Sequence, residues 1–235
     1  MINLSARSYQ KEILDNDSIP FADIRQNMKE LNTINTYLGG HRITRKGVKL
    51  IAANNPKGRT LHICEIGCGG GDNLKTISDW CRKKSITAIF TGIDIKPECI
   101  AFAKDQYPGM NTDWITSDYK KIDFTNNQPD IIFSSLFCHH FTNEELLLML
   151  HWMKQNSRQG FFINDLQRHR VAYYAIKLIT KIFSSSYLVK NDAPLSVARG
   201  FTKKEWQLLF INAGIKNYSI RWKWAFRYLI TGTND

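Results

Sequence analysis

The sequence has no long hydrophobic run. None reaches the roughly 18–20 residues that a membrane-spanning helix needs, and the N-terminus has no basic-then-apolar leader pattern. Cysteine is scarce, five in 235 residues. An odd number without framework spacing excludes a disulfide scaffold and reads as reduced thiols in a cytoplasmic protein. There is no internal repeat and no low-complexity tract, which removes solenoids and tethers. Core-forming residues, by contrast, are plentiful. Apolar residues make up 43% and charged residues 23%, so disorder, collagen and coiled coil are excluded, and the length fits one domain with additions.

Acidic residues are outnumbered overall, giving a formal net charge of +11. The excess is not uniform: residues 1–60 carry a net +5, residues 61–150 a net −4 and residues 151–235 a net +10. A basic chain suggests nucleic acid or an anionic membrane, yet the ligand of the acidic middle need not be an anion.

That middle alternates short β-type runs with helical stretches. Strands are expected at 61–66, 88–93, 112–116, 130–134 and 160–164, and helices at 73–83, 97–106 and 143–153. Such alternation predicts an α/β fold with a doubly wound, mostly parallel sheet. A helix over 202–213 and a strand pair at 218–222 and 226–231 complete seven strands. Two segments stand outside the alternation. Residues 1–50 read as an N-terminal helical cap, helical from Phe21 to Leu38 and ending at Gly39-Gly40. Residues 51–235 are the ligand-binding domain, interrupted after the fifth strand by an insert at about 166–200, a helix followed by a polar loop through Pro194.

The strongest chemical signal is Glu65-Ile66-Gly67-Cys68-Gly69-Gly70-Gly71-Asp72, directly after a buried strand. Glycines allow a tight turn and a close approach of ligand to main chain. A dinucleotide fingerprint needs glycine at the sixth position from Gly67, which is Asp72, and no Gly-Lys-Ser/Thr follows for a phosphate loop. Carboxylates on both sides of the glycines suit a ligand that carries positive charge. Asp94, at the end of the second strand, can accept from both hydroxyls of a ribose. Asp118, ending the third, can accept from an adenine amino group, with Tyr119 stacking on the ring. A nucleoside with a cationic tail fits these strand ends: S-adenosylmethionine (SAM).

At these residues the sequence resembles the class I SAM-dependent methyltransferases, over about Leu61 to Leu166. Glu65 to Gly71 matches the glycine-rich motif, Asp94 the ribose acid and Asp118 the adenine-side acid. Pro129 to Phe141 matches the fourth-strand region that runs into His-His. The resemblance implies a Rossmann-like fold and a SAM site comprising Glu65, Gly67, Cys68, Gly69, Asp94, Ile95, Asp118, Tyr119, Ser134 and Ser135, with S-adenosylhomocysteine (SAH) as product. The flanks are similar to methyltransferases encoded beside type III polyketide synthases and related to quinone-biosynthesis enzymes. They match at Asn35-x-x-Leu38-Gly39-Gly40-His41-Arg42, at Asn164-Asp165-Leu166-x-Arg168 and at Asp192-x-Pro194-Leu195-Ser196-Val197-x-Arg199-x-Phe201-Thr202. That resemblance implies bacterial-type secondary metabolism and O-methylation of a phenolic or pyrone hydroxyl on a hydrophobic polyketide, quinone-like or phenolic-lipid molecule.

Ser134-Ser135-Leu136-Phe137 lacks the proline pair of enzymes that methylate planar amines. Cys138 reads as a packed thiol, and no carboxylate cluster at the strand ends calls for a metal, so none is expected. His139 and His140 either orient the loop or take the hydroxyl proton, a role that suits an imidazole. His41 either ends a helix or reaches into the site. Asp165 either caps a turn or, with Arg168, Tyr173, Tyr174 and Arg199, contacts the acceptor. Val171 to Phe183 is apolar apart from a stripe of Lys177, Thr180 and Lys181 extended by Arg170. It is read as a buried helix with one wet edge, or as a lid whose walls include Tyr173, Tyr174, Ile176 and Ile179 and whose lysines face water or an anionic membrane. The rival functions are an RNA methyltransferase using the basic flanks and a non-catalytic SAM-binding subunit. Nucleic acid is the less favoured partner, and the sequence leaves the oligomeric state open.

Overall fold

The structure is a computed structural model and describes residues 3–16, 18–56 and 58–234. Seven strands form one sheet in the order β3-β2-β1-β4-β5-β7-β6. They are β1 (Leu61–Ile66), β2 (Ala88–Asp94), β3 (Thr112–Thr116), β4 (Ile131–Ser135), β5 (Gly160–Leu166), β6 (Tyr218–Lys223) and β7 (Arg227–Thr233). β1 to β5 pair in parallel, whereas β7 runs antiparallel to β5 and to β6. Every residue of β1 and β4 is buried, as expected for strands covered by helices on both faces. The order reverses at β1, so the carboxyl ends of β1, β2 and β4 open onto one crevice, where open α/β sheets bind ligands.

The sequence-based reading of alternating elements holds, and two expectations are corrected. The first concerns the N-terminal segment, which contains two helices rather than one. α1 (Phe21–Tyr37) stops where Gly39 adopts φ +75°, and α2 (Gly40–Ile51) follows. α2 lies on the sheet against β5 and β7. A Cβ on Gly47 would stand 2.4 Å from the Phe162 ring, so glycine is what lets this helix approach the strands. The second concerns the insert. The polar loop expected through Pro194 is a helix: α6 (Arg170–Phe183) is followed by α7 (Tyr187–Arg199), with Pro194 inside it. Tertiary anchoring outweighs the proline, because the Asp192 carboxylate accepts from the backbone N–H of Ile13 and Leu14 at 2.8 and 3.0 Å. The remaining helices are α3 (Asp72–Lys83), α4 (Pro97–Gln106), α5 (Asn143–Asn156) and α8 (Lys203–Asn212).

Residues 3–16 contribute no strand and wrap across the carboxyl edge of the sheet. Arg7 fastens them there. Its Nε donates to the Arg199 carbonyl at 3.0 Å and its Nη2 to the Phe141 carbonyl at 2.9 Å, and the guanidinium sits 4.1 Å from the Phe201 ring centre.

The turn between α6 and α7 is held by Glu30 on α1. Its carboxylate accepts from Ser185 N–H, Ser185 Oγ and Ser186 N–H at 3.0, 2.8 and 3.1 Å, and from Ser184 Oγ. These bonds favour the charged form and, despite desolvation, hold its pKa down at about 2. A carboxylate depressed in the fold contributes stability above its unfolded pKa and loses it as pH falls towards the folded one. Glu30→Gln should therefore lower the melting temperature by a few degrees at neutral pH. The gap to wild type should close as pH falls from about 4.5 towards 2; a gap that stays constant would remove Glu30 from the latch.

Candidate active site

A cavity of about 520 Å³ occupies the carboxyl edge of the sheet, between the glycine turn, α1, α6, α7 and residues 12–15. Its cofactor side is built at the ends of three strands. After β1, Gly67 turns with φ +66°, and a Cβ there would meet the Phe137 ring at 2.2 Å, so only glycine lets the turn and the loop after β4 close on each other. Asp94 at the end of β2 ties the turn down: its Oδ2 accepts from Gly69 N–H at 2.8 Å and its Oδ1 from Lys96 N–H at 2.9 Å. Burial pushes the Asp94 carboxyl above its usual range, against the pull of those two N–H groups. Asp118 after β3 accepts from Lys120 N–H at 3.0 Å and also faces the cavity.

Of the residues assigned to the cofactor from sequence, Gly67, Cys68, Gly69, Asp94, Ile95, Asp118, Tyr119 and Ser135 line this cavity. Glu65 and Ser134 do not; both are wholly buried. Glu65 accepts from Asn73 Nδ2 at 3.1 Å and is driven well towards its neutral form by burial, with Asp72 and Asp94 adding to the shift. It supports the turn from beneath. Ser134 Oγ contacts Cys138 Sγ at 3.4 Å. Tyr119 packs edge-on against Trp152, with ring centres 5.0 Å apart.

The acceptor side departs further from expectation. His139 and His140 line the cavity on a short 3-10 turn at Cys138–His140. His139 Nδ1 is 2.8 Å from Asp165 Oδ1, and its Nε2 is 3.5 Å from Glu12 Oε1. Burial alone would lower its pKa, but the two carboxylates raise it to about 9 and favour its charged form. His140 Nδ1 is 3.2 Å from Asp15 Oδ1, its Nε2 is 3.8 Å from Glu12 Oε2, and its side chain is 23% exposed. Ligand-type atoms of Glu12, His139 and His140 lie within 4.8 Å of one another. The expectation of no metal did not anticipate such a trio. The carboxylates around them are already engaged, Asp165 with His139, Asp15 with His140 and Arg199, and Glu12 with Ser196.

Five further candidates are not on the cavity wall. Asp165 is fully buried and holds His139 and its own loop, accepting from Leu166 N–H at 2.7 Å. Arg168 forms a two-bonded pair with Glu205 at 2.7 and 3.0 Å and donates to the Gly200 carbonyl. Arg199 donates to the carbonyls of His139 and His140 at 3.1 and 2.9 Å and so fixes their turn. Of the wall residues expected on α6, Ile176 and Ile179 line the cavity, joined by Ala172 and Ala175, whereas Tyr173 and Tyr174 do not. His41, the remaining catalytic candidate, lies outside as well, with Nε2 2.7 Å from Asp72 Oδ2 and Nδ1 3.2 Å from Thr36 Oγ1.

Glu12, Asp15 and Arg227 line the cavity and had not been singled out. The only sequence signal for the first two was a pair of carboxylates three apart in an otherwise featureless polar stretch.

Residues 63–160 match the model of a family described as a methyltransferase domain. No curated protein matches the chain. Among solved structures, the plantazolicin methyltransferase BpumL in complex with SAH is 21% identical over 88% of this chain and 74% of its own, with a TM-score of 0.62. Human N-acetylserotonin methyltransferase in complex with SAM is 15% identical over 91% of this chain and 56% of its own, with a TM-score of 0.64. Magnesium protoporphyrin IX methyltransferase from Synechocystis PCC 6803 with bound SAM is 11% identical over 94% of this chain and 100% of its own, with a TM-score of 0.58. The fold is thus that of the class I, Rossmann-like methyltransferases, and the family match falls on the part of the chain that carries β1 to β4 and the glycine turn.

Proposed function

We propose that this chain transfers a methyl group from SAM to a hydroxyl of a hydrophobic small molecule, a phenolic or pyrone compound of polyketide, quinone-like or phenolic-lipid type. The observation that carries the reading is one continuous cavity with two different walls. Gly67, Gly69, Asp94 and Asp118 present backbone and carboxylates suited to a nucleoside with a cationic sulfonium. Beyond them the wall turns aliphatic along Leu31, Ile34, Ile176, Ile179 and Val189, where an alkyl chain gains about 0.8 kcal/mol per buried methylene.

SAM would supply an activated methyl group at this wall: as the acceptor oxygen bonded to that carbon the C–S bond would break, its electron pair would go to sulfur, and SAH would leave. The sulfonium is an intrinsically good donor, so alignment and exclusion of water carry most of the rate. The hydroxyl proton goes to His140. Asp15 holds its Nδ1, and its ring lies on the cavity wall. His139 is the poorer candidate, being buried with both ring nitrogens facing carboxylates, Nδ1 at Asp165 and Nε2 at Glu12.

The outer face of α6 supports a peripheral membrane contact. Val171, Tyr174, Leu178 and Ile182 are each more than half exposed and recur at helical spacing beside Arg170, Lys177 and Lys181. An apolar stripe edged by cations suits an anionic lipid surface, and it backs onto the aliphatic wall of the cavity.

A chain-length series of alkylphenols and alkylpyrones, run with labelled SAM against transfer and ribosomal RNA, tests the reading. Methylation efficiency should rise with tail length until the cavity is full, and should rise further with anionic than with zwitterionic vesicles. Label in RNA, with none in any phenol, would sink it.

A further inference from the structure

Arg227 opens β7 and lines the cavity, yet its side chain is only 2% exposed. One of its donors is used: Nη2 donates to Asn35 Oδ1 at 3.0 Å. Among the described residues, Nε and Nη1 have no hydrogen-bond partner. A buried guanidinium left half-paired is costly, and burial pulls its pKa down to about 10.

Asp165 and Asp72 act on it by charge, but neither hydrogen-bonds to it. Asp165 faces His139 and the backbone N–H groups of His139 and Leu166. Asp72 lines the cavity and pairs with His41 and Asn35 through Oδ2, and among the described residues no hydrogen bond uses its Oδ1. Room for the guanidinium has been cleared as well: a Cβ on Gly40 would lie 2.8 Å from Arg227 Nη1 and 2.9 Å from Asn35 Oδ1. Asn35 thus links a free cation, through one side-chain amide, to a carboxylate with an open oxygen at the start of α3, directly beside the glycine turn.

We propose that Arg227 and Asp72 form a clamp for the α-amino-acid end of the cofactor, the free N–H groups of Arg227 donating to its carboxylate and Asp72 Oδ1 accepting from its ammonium. The inference rests on the reading of the cavity as a SAM site. It assigns the discrimination between SAM and nucleosides that lack the amino acid to two residues outside the glycine turn. A charge-assisted hydrogen bond in a buried site is worth about tenfold or more in affinity.

The test is equilibrium binding of three probes, SAM, decarboxylated SAM and 5′-methylthioadenosine, to the full chain. Wild type should favour SAM over decarboxylated SAM by about tenfold or more. Arg227→Gln should weaken SAM to the level of the decarboxylated form while leaving the latter unchanged, and Arg227→Lys should recover part of the preference. Asp72→Asn should weaken SAM and decarboxylated SAM, which keep the ammonium, and spare methylthioadenosine. Equal affinity of wild type for SAM and its decarboxylated form overturns the clamp, as does an Arg227→Gln variant that keeps the preference. Wild type that binds none of the three overturns the cofactor reading instead.

Discussion

Replacing His140 with alanine is expected to lower turnover by about 10²–10⁴-fold, the usual worth of a positioned general base, with SAM affinity little changed. His140 lines the cavity and hydrogen-bonds to none of Gly67, Gly69, Asp94 or Asp118, so its loss is expected to fall mainly on the chemical step. The matched variant His139→Ala separates two roles. His139 is buried between Asp165 and Glu12, and its removal strands two carboxylates, so the damage should appear as lost thermal stability as well as lost rate. If His140→Ala keeps near-native turnover by single-turnover kinetics, alignment alone drives the reaction.

Asp94→Ala is expected to weaken SAM binding by roughly ten- to a hundredfold in calorimetry, from about 1–3 kcal/mol of unpaired donors. Two losses combine. The ribose hydroxyls lose their acceptor, and Gly69 N–H loses the bond that pins the glycine turn. Asp94→Asn keeps the shape and one acceptor oxygen and should recover part of the affinity. Unchanged affinity in the alanine variant would remove Asp94 from the site.

The strand-end wall of the cavity was legible because its information is local. Gly67, Gly69, Asp94 and Asp118 each stand at the end of a strand that can be recognised from its apolar run, and a doubly wound sheet brings such ends together whatever else the chain does. The acceptor half depends on contacts between distant segments. Glu12 meets His139 across 127 positions of chain, and Arg227 meets Asn35 across 192; no periodicity encodes either. Arg168 and Arg199 were misread for a related reason. They stand in polar motifs, and the motif does not say whether a guanidinium faces a ligand or the carbonyls of its own fold. On α6 the expected wall holds at Ile176 and Ile179 and fails at Tyr173 and Tyr174: both faces of the helix are apolar, so the pattern does not mark where the cavity ends.

Arg7, Glu12 and Asp15 sit on a segment that adds no strand to the sheet. The segment is nonetheless tied to the site: His140 stands on the turn after β4 while its partner Asp15 lies on the segment, and Ile13 and Leu14 bond to Asp192 of α7. The wall that would handle the acceptor's proton is therefore assembled only when residues 3–16 dock, so exchanging them is expected to alter the acceptor wall and its anchoring together.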